Sequence, residues 1–300
     1  MAQTLQELGR RIQSAQDLLD IVGTMKSLAA VSISHYEQAA ASIGQYDHTV
    51  ALALRALFRA RRAALGRRAR RAEEEGGAAC AVVFGSDQGL CGAFNDHIVT
   101  HALGAMERGG AGGLMTLVIG SRAGQLLAQE GVDIDELLAV PASLPGITSI
   151  VQHVLTRLDE WQREREMRRV LLFHNRPLAG AAYEPRTMRL LPLDESWYRD
   201  LMEKGWPTRQ VPAFTMERQA LFSALVRQYL FVSLYRAQAE SMAAESAGRL
   251  SAMQAAERNI EERLEEFQSS FRRMRQSAIT SELLDVISGF EALGGERSET

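Results

Sequence analysis

The sequence predicts an α/β protein in which a long helix from each end of the chain forms an antiparallel two-helix coiled coil, with an α/β domain between them. Both terminal segments carry apolar residues at heptad spacing, and about 140 residues between them alternate short apolar runs with helical stretches. All seven prolines lie between Pro141 and Pro212. Because proline removes a backbone donor and kinks a helix, both terminal segments can form unbroken helices.

The first helix is predicted from positions spaced alternately three and four residues apart, the pattern that keeps one stripe facing a partner helix. Fourteen of its sixteen positions are apolar, whereas a composition of 46% hydrophobic residues predicts about seven. Thr4 and Glu7 have the spacing of a capping box at its start. The positions are Leu5, Leu8, Ile12, Ala15, Leu19, Val22, Lys26, Ala29, Ile33, Tyr36, Ala40, Ile43, Asp47, Val50, Leu54 and Leu57.

A run of seven arginines from Arg59 to Arg71, followed by three glutamates and two glycines, predicts the end of this helix and a linker. Such a run attracts RNA, anionic lipid or an acidic protein surface, or is simply a solvated helix end. The net charge of −3 and the absence of interleaved aromatic residues argue against RNA.

The second seam begins at Leu225, and thirteen of its sixteen positions are apolar. The helix that carries it should start near Phe214 and reach about Gly289, so it is longer than the first by about 20 residues, or about 30 Å. That overhang is apolar and would be exposed in water, which implies that other protein chains surround it. Its apolar and neighbouring residues are Ile279, Thr280, Leu283, Leu284, Val286, Ile287 and Phe290.

The charged positions in the two seams provide a test of register. Lys26 with Glu257, and Asp47 with Arg236, share the same sum of residue numbers, so one antiparallel register brings each pair of opposite charges within about one layer of facing. The alternative is that each charge reaches solvent independently.

Between residues 78 and 193, strand and helix patterns alternate three times before a last strand, which favours a mostly parallel, Rossmann-like sheet. The predicted boundaries are residues 1–75 for the first coiled-coil helix, 76–212 for the α/β domain and 213–300 for the second helix. The predicted strands are 80–85, 114–120, 170–174 and 187–191, the predicted helices are 94–106, 123–130 and 147–166, and residues 197–212 form a connector.

The glycine-rich segment Gly85–Gly92 follows a predicted strand and precedes a helix, the place where phosphate-binding loops occur. Its glycines fit neither GxGxxG nor a Walker A loop, so tight turning and close packing explain them better. His97 and His101 are four residues apart, without a third metal ligand, and Cys80 and Cys91 form no zinc pattern, which favours buried free thiols. No catalytic, cofactor or metal site is predicted.

No apolar run reaches the length of a membrane-spanning helix, and the N-terminus lacks the apolar core of a signal peptide, so a cytosolic chain is expected.

Three segments make the chain resemble the γ subunit of F-type ATP synthases over nearly its whole length. Residues 20–30 are similar to the family's ITKAMKMVAA segment, and Ser86–Asn95 is similar to its SDRGLCGGLN signature, through Ser86, Asp87, Gly89, Leu90, Cys91, Gly92 and Asn95. The third segment, from Tyr229 to Gly289, resembles the family's C-terminal helix.

This resemblance implies a non-catalytic central stalk that turns inside a ring of α and β subunits, bound peripherally on the cytoplasmic side of the membrane. Its α/β body would contact the ε subunit and the membrane c-ring. Moving segments of the β subunits would contact Met25, Lys26 and Arg249. The part of the catalytic ring that surrounds the base of the C-terminal overhang, the collar, would form hydrogen bonds with Arg275, Gln276 and Thr280. No cofactor, no nucleic acid and no membrane insertion are implied.

The sequence departs from the family pattern at Gly23 and Thr24, in the stretch 32–36 and at Gln88. These departures favour a divergent member, with the alternative N-type branch as one hypothesis, and they leave the β-subunit contacts open. Two other readings stay open: a nucleotide-binding α/β protein with a coiled-coil dimerisation arm, which calorimetry with nucleotides would reveal, and a scaffold that uses the rod for homodimerisation.

Overall fold

The computed structural model describes residues 2–59, 78–108, 114–178, 180–193 and 214–295. Side chains are described from Leu5 to Phe58 in the first of these ranges and up to Ser288 in the last. The arginine run beyond Arg59 and the predicted connector 197–212 lie outside the described residues, so the predictions for both stay predictions.

The described chain forms five helices and five strands. The helices are α1 (Ala2–Arg59), α2 (Phe94–Arg108), α3 (Ser121–Gln129), α4 (Leu144–Glu164) and α5 (Arg218–Gly295). The strands are β1 (Ala78–Phe84), β2 (Leu114–Ile119), β3 (Glu136–Leu138), β4 (Met167–Pro177) and β5 (Tyr183–Leu191). The predicted α/β class with two long terminal helices is confirmed, and α5 extends six residues beyond its predicted end.

The strands form one sheet in the order β3-β2-β1-β4-β5. The first four are parallel, and β5 returns antiparallel to β4 at one edge. The prediction of a mostly parallel sheet is therefore confirmed. Strand β3 was not predicted, because three residues are too short to show an alternating pattern.

Each face of the sheet is covered by helices. Since side chains alternate along a strand, Cys80, Val82 and Phe84 of β1 point to one face and Ala81 and Val83 to the other. The first face packs against α4 and a central stretch of α5 around Leu234 and Met242, and the second packs against α2 and α3. The C-terminal helix therefore forms part of the core.

The chain divides into two compact units, residues 29–251 and residues 1–28 with 252–300. The sheet lies in the first of these. The domain boundaries expected from the sequence stay a prediction, because both long helices run through the two units.

The heptad seams are on the buried side of both long helices. All sixteen predicted positions in α1, and all sixteen in α5, are buried or half-buried. Between residues 5 and 49, the buried positions of α1 repeat every seven residues, at Leu8, Ala15, Val22 and Ala29. Such a repeat is what a coiled-coil seam requires.

Within each unit the two helices run antiparallel. In the unit 29–251, Tyr46 donates a hydrogen bond to Gln228 at 2.9 Å, and Phe58 lies against Phe222 with ring centroids 6.1 Å apart. In the other unit, Lys26 faces Glu257, while residues 7–18 line a groove with residues 259–267. Higher numbers in one helix thus meet lower numbers in the other.

Candidate functional site

The segment Ser86–Asn95 forms a closed hydrogen-bonded loop at the carboxyl end of β1. The Ser86 amide donates to Oδ1 of Asn95 at 3.0 Å, and Nδ2 of Asn95 donates back to Oγ of Ser86 at 2.8 Å. Ser86 Oγ in turn donates to the carbonyl of Gln88 at 2.7 Å. Ser86 and Asn95 are both buried, so these residues satisfy each other and no bound ligand is needed to pair them.

Asp87, in the same loop, binds backbone amides of two other segments. Its two carboxylate oxygens accept hydrogen bonds from the amides of Ser121 and Val140, each at 2.8 Å. Ser121 is the first residue of α3, whose N-cap, Gly120, has no side chain with which to cap the helix. Since the N-terminus of a helix attracts anions, an internal carboxylate already fills this site. Asp87 therefore caps α3, whereas the helix that follows the glycine-rich loop is α2.

Close packing explains Gly85 of this loop and the neighbouring Gly120. A Cβ at Gly85 would lie 2.2 Å from Cβ of Ala123, and one at Gly120, where φ is 114°, would lie 2.7 Å from the amide nitrogen of Ser86. Gly92 also has a positive φ, of 63°. The prediction that these glycines serve turning and packing is confirmed for Gly85 and Gly92, whereas a Cβ at Gly89 would meet nothing within 4 Å.

The same loop contacts helix α5. A Cβ on Gly248 would lie 2.6 Å from the carbonyl oxygen of Cys91, so only glycine allows this approach. Cys91 is buried and free, and Cys80 is likewise buried, as predicted; burial raises the pKa of both thiols. Leu90, by contrast, is 65% exposed with a φ of 61°. The signature loop thus joins the sheet to α5 and leaves one apolar side chain on the surface.

Lys26 and Glu257 form the predicted ion pair between the two long helices. Nζ of Lys26 donates to both carboxylate oxygens of Glu257 at 2.6 Å. The second predicted pair differs, because Arg236 donates from Nε to Glu240 at 2.7 Å. Burial raises the pKa of Asp47, and the charge of Arg236 opposes that increase only in part. One of the two predicted register pairs is therefore a direct ion pair.

The six predicted contact residues fall into two groups. Lys26 pairs with Glu257, and Arg249 donates to Glu245 at 2.7 Å with only 19% of its side chain exposed. Burial raises the pKa of Glu245, and Arg249 opposes that effect. Met25 is half-buried, whereas Arg275, Gln276 and Thr280 are exposed on α5, where Thr280 Oγ1 donates to the carbonyl of Gln276 at 2.9 Å.

The C-terminal part of α5 carries the most concentrated apolar surface of the described residues. Five large apolar side chains between positions 279 and 287 are 50–59% exposed, and we call them the tip residues: Ile279, Leu283, Leu284, Val286 and Ile287. Phe290, predicted to belong with them, lies outside the described side chains. A stable soluble surface seldom presents so many neighbouring large apolar groups without a binding role.

Sequence reasoning missed a second apolar stripe, on the outer face of α1. Leu18, Ile21 and Leu28 are 52–63% exposed. With the half-buried Met25 they follow the 3-4 spacing of a second seam, offset from the first. Near its start, the side chains between Glu7 and Leu18 line a groove of about 580 Å³ with residues 259–267 of α5. The signal was visible in the sequence but was hidden by the stronger inner seam.

Metal chemistry finds no support in the described part of the chain, where no three His, Cys, Asp or Glu side chains cluster in a way that could hold an ion. His101 shares a hydrogen bond with Thr187 at 2.8 Å, and the ring of His97 lies against Tyr183. Among the described helices, none has an apolar stretch long enough to cross a bilayer.

A family model described as ATP synthase matches residues 4–293. The chain belongs to the ATP synthase family. A curated relative within it, the ATP synthase gamma chain of a Nitratiruptor species, is 25% identical over 295 residues, which are 96% of this chain and 99% of the relative. The resemblance read from residues 20–30, 86–95 and 229–289 is therefore confirmed.

Solved structures of the family share the fold. A rotor chain of the Euglena gracilis mitochondrial ATP synthase in rotational state 1 is 16% identical, with a TM-score of 0.62 over 93% of this chain and 100% of that chain. A chain of the same enzyme in rotational state 3 is 16% identical, with a TM-score of 0.65 over 100% and 98%. A central stalk and c-ring chain from Tetrahymena thermophila is 21% identical, with a TM-score of 0.52 over 79% and 99%.

Proposed function

We propose that this chain is the central-stalk rotor subunit of a rotary F-type ATP synthase. It would transmit torque between the membrane ion-translocating ring and the catalytic ring of α and β subunits. The names of its relatives support this role: a gamma chain, a rotor chain, and a chain of a central stalk with its c-ring. The match over residues 4–293 covers both long helices and the sheet.

The observation that carries the proposal is the row of tip residues on α5. Five large apolar side chains are exposed on one helix of 78 residues that contains no proline. A long helix without breaks resists bending, and an apolar end requires an apolar housing. A shaft whose end turns in a bearing made by neighbouring subunits satisfies both conditions.

In this role the chain acts on nucleotide only through its neighbours. An asymmetric shaft presents a different side to each of three β subunits, so each position of the shaft favours a different β conformation and a different nucleotide affinity. The chain needs no catalytic group for this task. Asp87 of the signature loop accepts hydrogen bonds from two backbone amides of the same chain.

Contact with the catalytic ring is proposed at two places. Arg275, Gln276 and Thr280 are exposed at the base of the tip and offer donors and acceptors to a surrounding collar. Met25 lies on the outer stripe of α1, next to Leu28. Lys26 and Arg249 are paired with Glu257 and Glu245 of the same chain. An acidic group of a β subunit would compete with these glutamates for the two basic side chains.

The remaining partners would be the ε subunit and the c-ring on the side of the α/β body, with the complex bound at the cytoplasmic face of the membrane. The exposed Leu90 belongs to the signature loop of that body. The N-type subtype stays a prediction, and other subunits select the transported ion.

The proposal is tested by making the tip polar. Replacing the five tip residues by glutamine keeps helix propensity while removing the apolar surface. In a complex reconstituted with α and β subunits and the membrane sector, we expect ATP-driven ion pumping to be lost. A matched variant changes three exposed glutamates of the same helix, Glu261, Glu262 and Glu265, to glutamine and should pump normally. Failure of the unmodified chain to assemble with α and β subunits would refute the proposed function.

A further inference from the structure

Helix α5 is enclosed where it passes through the unit 29–251, since every residue from Val232 to Gly248 is buried or half-buried. Much of this enclosed surface is alanine, including Ala237, Ala239, Ala243 and Ala244. Apolar burial has no preferred direction, and small side chains form shallow ridges. Packing of this kind, to which Leu234 and Met242 also contribute, has less directional preference than hydrogen bonds do.

Directional contacts between this part of α5 and the sheet centre on one buried carboxylate. Oε2 of Glu240 lies 3.0 Å from Nε2 of His174 in strand β4, and its Oε1 accepts from Nε of Arg236 at 2.7 Å. The side chain of His174 is fully buried and that of Glu240 is 8% exposed. At the next residue of the helix, Ser241 Oγ donates to the carbonyl of Phe84 at 3.4 Å.

The electrostatics show that this carboxylate is bound as an anion. Burial acts to raise the pKa of Glu240, but the hydrogen bonds from His174 and Arg236 outweigh burial and hold it at about 2. The His174 ring also stands edge-on to Phe84, with centroids 6.5 Å apart, which limits its freedom to follow a moving partner. A turn of the helix by one residue would carry Glu240 away from His174 and leave it only Arg236, which moves with the same helix.

We infer that His174 and Glu240 are positioning residues that fix the rotational and axial position of α5 against the sheet. Their contact prevents α5 from rotating or shifting relative to the sheet, so that torque applied to the α/β body is transmitted to the helix. This inference rests on the proposed function. A buried polar pair often adds little stability compared with apolar residues of similar size. Its hydrogen bond is directional, however, and here it forms in only one relative position of α5 and β4. The close contact between Gly248 and Cys91 prevents α5 from moving towards the signature loop. It supplies no attraction that would oppose movement of the helix away from the loop.

Replacing His174 and Glu240 by apolar residues separates a positioning role from a contribution to stability. The double variant His174→Phe with Glu240→Met keeps the volume filled and removes the directional bond. In the complete reconstituted complex, we expect unchanged or higher thermal stability of the chain, normal assembly and continued ATP hydrolysis, with loss of ATP-driven ion pumping. The conservative variant Glu240→Gln retains an acceptor for His174 and should retain pumping.

The matched control is the exposed ion pair between Arg227 of α5 and Asp159 of α4, in which the two side chains are 57% and 42% exposed. Changing it to glutamine and asparagine should alter neither stability nor pumping. Full pumping by a folded apolar double variant would overturn the inference while leaving the proposed function intact. If the double variant does not fold, His174→Gln and His174→Met decide, since only glutamine can donate to Glu240. Equal pumping by these two would likewise overturn the inference.

Discussion

Replacing Gly248 by alanine should destabilise the protein, although alanine is favoured over glycine inside a helix by about 1 kcal/mol. The new Cβ would lie 2.6 Å from the carbonyl oxygen of Cys91 and 3.2 Å from the ring of Tyr183. A backbone carbonyl in a hydrogen-bonded loop cannot retreat freely, and overpacking of this kind costs about 1–3 kcal/mol. The expected net loss is about 0–2 kcal/mol after the gain in helix propensity.

Gly44 in α1 provides the matched control, because a Cβ there would meet nothing within 4 Å. Gly44→Ala should therefore stabilise the chain by about 0.5–1 kcal/mol. Urea unfolding of the purified full-length chain, followed by circular dichroism, measures both variants against the unmodified protein. A midpoint for Gly248→Ala equal to or above that for Gly44→Ala would refute the packing argument for the signature loop.

Three further outcomes are expected. A double-mutant cycle on Lys26→Met and Glu257→Gln should give a coupling energy of only about 0.2–1 kcal/mol by urea unfolding, since both side chains are partly exposed; a value near zero would remove the pair from the register argument. Asp87→Asn should cost about 1–3 kcal/mol, because an amide group then faces a backbone N–H, and calorimetry should show no ATP binding to either protein. The pKa of Glu240 is depressed from 4.5 to about 2, so its contribution, about 3 kcal/mol, is present above pH 4.5 and is lost as the pH falls towards 2. Relative to the unmodified chain, Glu240→Gln should therefore unfold with a weaker dependence on pH across that window, and identical pH profiles would contradict the assignment.

The two long helices could be predicted from the sequence because their signal is periodic and local. A 3-4 spacing sustained over sixteen positions determines which side of a helix faces its partner, and every one of those positions is buried or half-buried in both helices. The pairing of Lys26 with Glu257 followed from the same periodicity, since an antiparallel register brings residues with a constant sum together.

The contacts that organise the signature loop could not be predicted in the same way. Glycine spacing indicated a tight turn but did not reveal that Asp87 caps α3 or that Gly248 lies against Cys91. His174 and Glu240 are 66 residues apart in sequence, and neither belongs to a recognisable motif. Contacts between distant segments depend on the path of the whole chain, which no local pattern records.

The sequence by itself determined the element types, the inner seams and the family, because each depends on residues that are close along the chain or on a motif of fixed spacing. Only the tertiary structure decided that Arg236 binds Glu240, that Gly85 and Gly248 are required and that Leu18, Ile21 and Leu28 stay exposed. Asp47 illustrates the difference: its seam position could be read from the sequence, but Arg236 binds Glu240, one turn further along α5, and it is the packing of α5 against β4 that buries this carboxylate beside His174. Burial and distance select partners, and both arise only when the chain is folded.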